Sequence, residues 1–187
     1  MTELAPGLLV AAPPLGDPNF DRSVVLLAAH GEEGAFGWVI NGRELMTLPE
    51  LLVRAEVTKD RLDVPGRVRV GGPVSQDQIW LVYPSRYRFE TIEGQFDVGT
   101  GITASASRHV LEAVARDAPA DGVLGFAGYA SWAPDQLEDE IRAGAWFPTD
   151  LEVSLVFDVP VAEIWNRAYE RMGTTPMAFT SRTVGLA

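Results

Sequence analysis

The sequence predicts an α+β domain built on a mixed sheet, and three observations lead there. Three short apolar runs, Leu8–Ala12, Val24–Ala29 and Phe36–Ile40, come before any helical pattern. Later apolar runs alternate with amphipathic stretches, which a regular doubly wound sheet would show from the start. The length of 187 residues, 47% of them hydrophobic and 22% charged, suits one soluble domain with a single core.

Each early run is bounded by Pro, Gly, Asp or Asn and reads as a strand buried on both faces. His30–Gly34 holds two glycines between the second and third runs, which predicts an antiparallel hairpin. Thr47-Leu48-Pro49-Glu50 is a capping box with proline in the first turn, and Leu48, Leu51, Leu52 and Ala55 follow at helical spacing. Val68–Val70 and Ile79–Tyr83 are strands flanking the tight turn Gly71-Gly72-Pro73, and Phe89–Val98 is a more polar strand.

Ser105–Asp117 carries Val110, Leu111 and Val114 on one helical face. Val123–Tyr129 reads as a strand and about Pro134–Ala143 as a helix with Leu137 and Ile141 facing the core. At about 100° per residue Asp135 and Asp139 point away, while Gln136 and Glu140 share one flank and Glu138 and Arg142 the other. Leu151–Phe157 reads as a strand, and a last helix carries Val161, Ile164, Trp165, Ala168 and Met172 before Gly173.

Composition narrows function. Asp plus Glu number 26 against 15 Lys plus Arg, a net charge of −11, and the bases are scattered, which disfavours direct nucleic-acid binding. With no cysteine there is no disulfide, thiolate nucleophile or Cys-ligated metal. The N-terminal apolar run stops at Pro13-Pro14 and no run approaches a membrane span, so the expected location is cytoplasmic with no membrane partner.

No constellation fixes a chemical activity. Gly99–Ala104 has dinucleotide-turn spacing, but the preceding Ile92–Val98 lacks the buried apolar strand such a turn requires, so a Gly-rich turn is expected. His30 and His109 have no second histidine at metal spacing, and no metal or cofactor is expected. Ser131 lacks a nucleophile-elbow context and suits a helix N-cap. The acids Asp135, Glu138, Asp139 and Glu140 read as a solvated face complementing the helix dipole; Gln136 and Glu140 are the exceptions, bordering the core beside Tyr129–Trp132.

Four blocks in order carry a resemblance along almost the whole chain: Gly7-Leu8-Leu9-Val10-Ala11-Ala12-Pro13 with Phe20-Asp21-Arg22-Ser23-Val24-Val25; Gly34-Ala35-Phe36-Gly37-Trp38-Val39-Ile40-Asn41; Gly71-Gly72-Pro73-Val74; and Gly128–Glu140 with Trp146. On these the chain resembles the YqgE/AlgH family of bacterial proteins. The resemblance implies a single domain over residues 1–187, with a bifurcated sheet curled into a pseudo-barrel and about four helices packed outside. It implies a cytosolic protein with no activity to carry over, and a link to transcriptional regulation that does not amount to direct DNA binding. Two positions depart from the family pattern. Leu81-Val82-Tyr83 stands where members show a Leu-His pair, and Asp135 stands where a glycine commonly precedes Gln-Leu-Glu.

The function expected is a non-enzymatic regulatory or binding module for a protein or small-molecule partner. Its candidate surface is Phe20, Arg22, Asn41, Tyr129, Trp132, Gln136 and Glu140: Arg22 to pair an anion, Asn41 and Gln136 to orient by hydrogen bonds, Tyr129 and Trp132 to supply apolar area. The competing expectations are a small-molecule hydrolase using Glu140 as base and Arg22 or the Gly71-Gly72 turn as anion support, and a DNA-binding regulator, which the charge disfavours.

Overall fold

A computed structural model describes residues 4–13, 15–60, 62–119 and 122–180. In chain order the strands are β1 (Gly7–Ala11), β2 (Val24–Gly31), β3 (Gly34–Val39), β4 (Glu44–Thr47), β5 (Gly66–Val70), β6 (Val74–Pro84), β7 (Gln95–Asp97), β8 (Ile102–Ser105), β9 (Val123–Trp132) and β10 (Trp146–Asp150). The helices are α1 (Leu48–Arg54), α2 (Arg108–Arg116), α3 (Gln136–Arg142), α4 (Val153–Phe157), α5 (Ile164–Arg171) and α6 (Pro176–Thr180). The class is α+β with a mixed sheet, and the four helices read from the sequence are joined by the short α4 and α6. The chain forms two compact units, one of residues up to Gly42 and from Ala130 on, the other of Arg43–Tyr129.

In the first unit β10, β1, β2, β3 and the end of β9 pair antiparallel in that order. Leu9, Ala11, Val25 and Leu27 join Trp132, Leu137 and Trp146 in one core cluster. The alternate residues Leu8, Val10, Val24 and Leu26 are as deeply buried, and α5 packs on β1 and β2. Burial on both faces is why these strands read as continuous apolar runs rather than alternating ones. The predicted β2–β3 hairpin forms, with Gly31 opposite Gly34 and a bulge between Leu27 and Ala29.

In the second unit β9 runs between β5, its parallel neighbour, and β6, its antiparallel one. Gly71-Gly72-Pro73 therefore carries the chain past β9 rather than closing a hairpin. Gly71 N–H bonds to Ala127 O (2.9 Å). Gly128, at φ 73°, lies so close that a Cβ there would sit 2.6 Å from Val74 O and 2.7 Å from Gly72 O. The capping box forms as read: the Thr47 side chain accepts from Glu50 N and the Glu50 side chain accepts from Thr47 N. α2 starts after its N-cap Ser107.

Three elements differ from expectation. Of Phe89–Val98 only Gln95–Asp97 is strand, because the Gln95 amide organises the preceding residues as a loop. Its Nε2 donates to Phe89 O and Ile92 O, and its Oε1 accepts from Phe89 N and the Tyr83 hydroxyl. Burial pushes that Tyr83 hydroxyl up to about 12. Leu151–Phe157 is not a strand: the strand is Trp146–Asp150, and Val153–Phe157 is helical. A short apolar run does not distinguish the two by periodicity. Ser131 lies within β9 and caps nothing; the N-cap of α3 is Asp135. Gly99 and Gly101 form a turn between the antiparallel β7 and β8, as expected.

Replacing Gly128 by alanine combines a left-handed backbone with two carbonyl contacts. It should lower stability by about 2 kcal/mol or more in urea denaturation, and a loss below about 0.5 kcal/mol would contradict the packing of Gly128 on the Gly72–Val74 backbone.

Candidate functional site

Beyond Trp132 the chain turns through Ala133, Pro134 and Asp135 into α3. Asp135 is left-handed at φ 63°, the conformation glycine adopts freely and Asp among few others tolerates. A glycine, as in the family pattern, would take the same backbone shape without strain. The Asp135 side chain makes no capping bond. Gln136 does related work, its Oε1 accepting from Ala133 N–H (2.9 Å) and its Nε2 donating to Glu140 Oε1 (2.8 Å).

Glu140 is the hub. Its Oε2 accepts from Trp132 Nε1 at 2.9 Å and from Trp146 Nε1 at 2.7 Å. The indoles are 5% and 2% exposed and meet edge to face with centroids 5.8 Å apart. Phe20 completes the group, stacked on Trp132 at 6.2 Å and edge-on to Trp146 at 5.4 Å. Burying an indole leaves one donor to satisfy, and a carboxylate is its strongest acceptor. The same helix face therefore anchors two tryptophans that the core needs. Gly34 lies against this junction at φ 109°, where a Cβ would run into the Trp132 carbonyl.

On the other flank of α3, Glu138 Oε1 meets His30 Nε2 at 2.8 Å, and the imidazole side chain is 3% exposed. His30 Nδ1 accepts from Leu4 N–H (3.3 Å), so Nε2 carries the proton donated to Glu138. His30 thus belongs to the end of β2 and holds the N-terminal segment to α3. The backbone N–H of Glu138, followed by the His30 hydrogen bond, holds the Glu138 carboxyl below its ordinary value of 4.5. Asp139 faces solvent and pairs with Arg142.

The turn Asp17–Ser23 leads from Phe20 to a second aromatic group. Arg22 is left-handed at φ 53°. Asn41 holds it so, with Nδ2 donating to Arg22 O (2.9 Å) and Oδ1 accepting from Val24 N–H (2.8 Å). The exposed Arg22 guanidinium lies 5.0 Å over the Trp165 ring. Trp165 Nε1 and the Tyr169 hydroxyl both donate to Ala11 O, at 2.9 and 3.0 Å. Burial pushes that tyrosine up to about 12. Arg22, Trp165, Asn166, Glu170, Thr174, Thr175, Pro176 and Met177 line a cavity of about 380 Å³.

The residues named from the sequence thus fall into groups. Phe20, Trp132, Gln136 and Glu140 meet in one cluster, Asn41 and Arg22 in a second, joined through the Asp17–Ser23 turn. Tyr129 lies in the second unit, on β9 opposite Val74. Sequence reasoning missed three partners. Trp146 stood only in a family block, although its indole needs an acceptor; Trp165 read as core stripe; and the His30–Glu138 pair joins residues 108 positions apart. Among the described residues no group of His, Asp and Glu could hold a metal ion, and no helix is long and apolar enough to cross a membrane.

The AlgH-like family model, DUF179, matches residues 8–177, so this chain belongs to that family. A UPF0301 protein of Anaeromyxobacter sp. (strain Fw109-5) is 45% identical over 184 residues, covering 94% of this chain and 92% of the relative. The fold is similar to the solution structure of the AlgH protein from Pseudomonas aeruginosa, with a TM-score of 0.73 at 30% identity over 100% of this chain and 95% of that one. It is also similar to a crystal structure of a protein from Corynebacterium diphtheriae, with a TM-score of 0.71 at 26% identity over 89% and 86% of the two chains.

Glu140→Ala leaves two indole N–H groups without their acceptor and should cost about 3 kcal/mol of stability in urea titration, with Trp132→Phe in that background costing far less than in the wild type. For the Glu138 tie the sign follows from a lowered carboxyl pKa. Its contribution is present above the ordinary value of 4.5 and is lost as pH falls through the lower folded value. The stability gap between wild type and Glu138→Gln should therefore hold at neutral pH and close in acid, a comparison readable by denaturation at a series of pH values.

Proposed function

We propose that this chain is a non-enzymatic, cytosolic regulatory or binding module of the AlgH type, recognising a protein or small-molecule partner through the first-unit surface around the Phe20–Arg22 turn. The observation that carries this reading is the occupancy of Glu140. Both its oxygens already accept hydrogen bonds, from Gln136 on one side and from two tryptophans on the other. A general base must reach the proton it removes, and Glu140 reaches into the fold instead. Phe20, Trp132, Gln136 and Glu140 then form the fixed floor, Asn41 sets the backbone, and the exposed Arg22 meets the partner.

Regulation by direct contact with DNA finds no support in a chain of net charge −11. An influence on transcription would instead run through a protein or ligand, which fits the family link.

The test is affinity capture of the tagged protein from its own cells, with proteins and small molecules both identified by mass spectrometry. A specific partner should be enriched by the wild type and lost with Arg22→Ala, an exposed position whose side chain makes no hydrogen bond among the described residues. Equal capture by both would refute the surface. Turnover in a hydrolase screen that disappears with Glu140→Gln in a still-folded protein would replace the module by the enzyme.

A further inference from the structure

Arg22 differs from six other arginines of the chain in what its guanidinium meets. Arg67, Arg88, Arg108, Arg142, Arg167 and Arg171 each pair with a carboxylate. In a chain with 26 acids, the Arg22 guanidinium has no carboxylate partner among the described residues; its contact is the Trp165 ring. Its backbone is held left-handed by Asn41, a conformation that is strained for a non-glycine residue. Trp165 is itself pinned by the Ala11 carbonyl. The Arg22 backbone and the Trp165 ring are thus set before anything binds, which lowers the ordering cost of recognition.

The cavity beside it is fixed on the far wall too. α5 ends in a Schellman motif: Gly173, at φ 72°, donates to Glu170 O (3.0 Å) and Thr174 N–H to Tyr169 O (3.1 Å). This sets Thr174, Thr175 and Pro176 on the rim, followed by Met177, 78% exposed. About 380 Å³ is at the small end of ligand pockets. The lining pairs one cation with an indole, a proline ring and an adaptable thioether, and adds the polar Asn166, Thr174 and Thr175.

We infer that this cavity binds a small carboxylate with an apolar body, Arg22 pairing the carboxylate and Pro176, Met177 and the Trp165 edge enclosing the body. A planar guanidinium matches a carboxylate in a two-point fork. One cation suits one negative charge. Glu170, also on the lining, is drawn to Arg167 (3.1 Å) and disfavours a dianion such as phosphate. The inference rests on the module reading above and adds the chemical class of the ligand.

The probe is 3-phenylpropionate, titrated into the ¹⁵N-labelled full chain, with 3-phenylpropanamide as its neutral isostere. Saturable shifts should appear at Arg22, Asn166, Thr174, Thr175 and Met177. The amide should bind about tenfold or more weakly, as should the acid to Arg22→Gln, while Glu170→Gln should tighten the acid by a few fold. Equal binding of acid and amide to the wild type overturns the inference, and so does absence of saturable shifts at these residues. A peptide ending in phenylalanine that saturates the same residues where the free acid does not would replace the small molecule by a chain terminus. Arg22-dependent partner capture from cells without carboxylate binding would sink the ligand class and leave the module reading intact.

Discussion

The carboxylate of Glu140, clasped by the indole N–H groups of Trp132 and Trp146, is the constraint on which the first unit depends. Trp132 ends β9, Trp146 begins β10, and Glu140 lies on the helix between them. One acidic residue therefore closes the β9–α3–β10 connection at both ends. Each charge-assisted bond contributes about 1.5–3 kcal/mol net, and the rings it fixes bring large apolar area into the core. An apolar residue at 140 would leave two buried donors unsatisfied. The Gln136 amide, one turn earlier, holds the second oxygen and keeps the carboxylate from rotating away.

From that hub the order spreads along the backbone. Phe20 packs on both tryptophans, and two residues later Arg22 lies over Trp165. A seven-residue turn with exposed Asp17, Asn19 and Asp21 would otherwise be among the loosest parts of the chain. Anchored at two aromatic groups and clamped by Asn41, it presents one guanidinium in a defined direction. The strained φ of Arg22 persists because the surroundings over-determine it.

Much of this was legible in the sequence, for physical reasons that differ by element. The capping box at Thr47 is local chemistry, with both partners inside four residues, and it forms as read. The spacing of Gln136 and Glu140 beside Leu137 places them on the core border, because helical geometry fixes direction without any knowledge of the partner. What acceptor Trp146 would find, or that His30 would reach Glu138, depends on strand pairing over long separations, which no local pattern encodes. Leu151–Phe157 failed for the opposite reason. Its pattern was strong, but short apolar runs serve helix and strand alike, and the neighbouring Trp146–Asp150, with Pro148 in a strand at the end of the sheet order, took the place beside β1.

These distinctions decide where function can reside. A substitution at Trp132, Trp146 or Glu140 removes part of a buried network, so any lost activity would first have to be separated from lost stability. Arg22 is exposed, and removing its side chain leaves the Asn41 hydrogen bonds to its carbonyl and to Val24 in place, since both involve backbone atoms. What is lost at such a site is the cation–π contact, about 0.5–1 kcal/mol. The strongly hydrogen-bonded part of the signature therefore carries the fold, and the side chain left without an internal hydrogen bond is where recognition is to be sought. That division follows from counting donors and acceptors: a group whose hydrogen-bonding capacity is already filled inside the chain has none to offer a partner, whereas no hydrogen bond among the described residues uses the Arg22 fork.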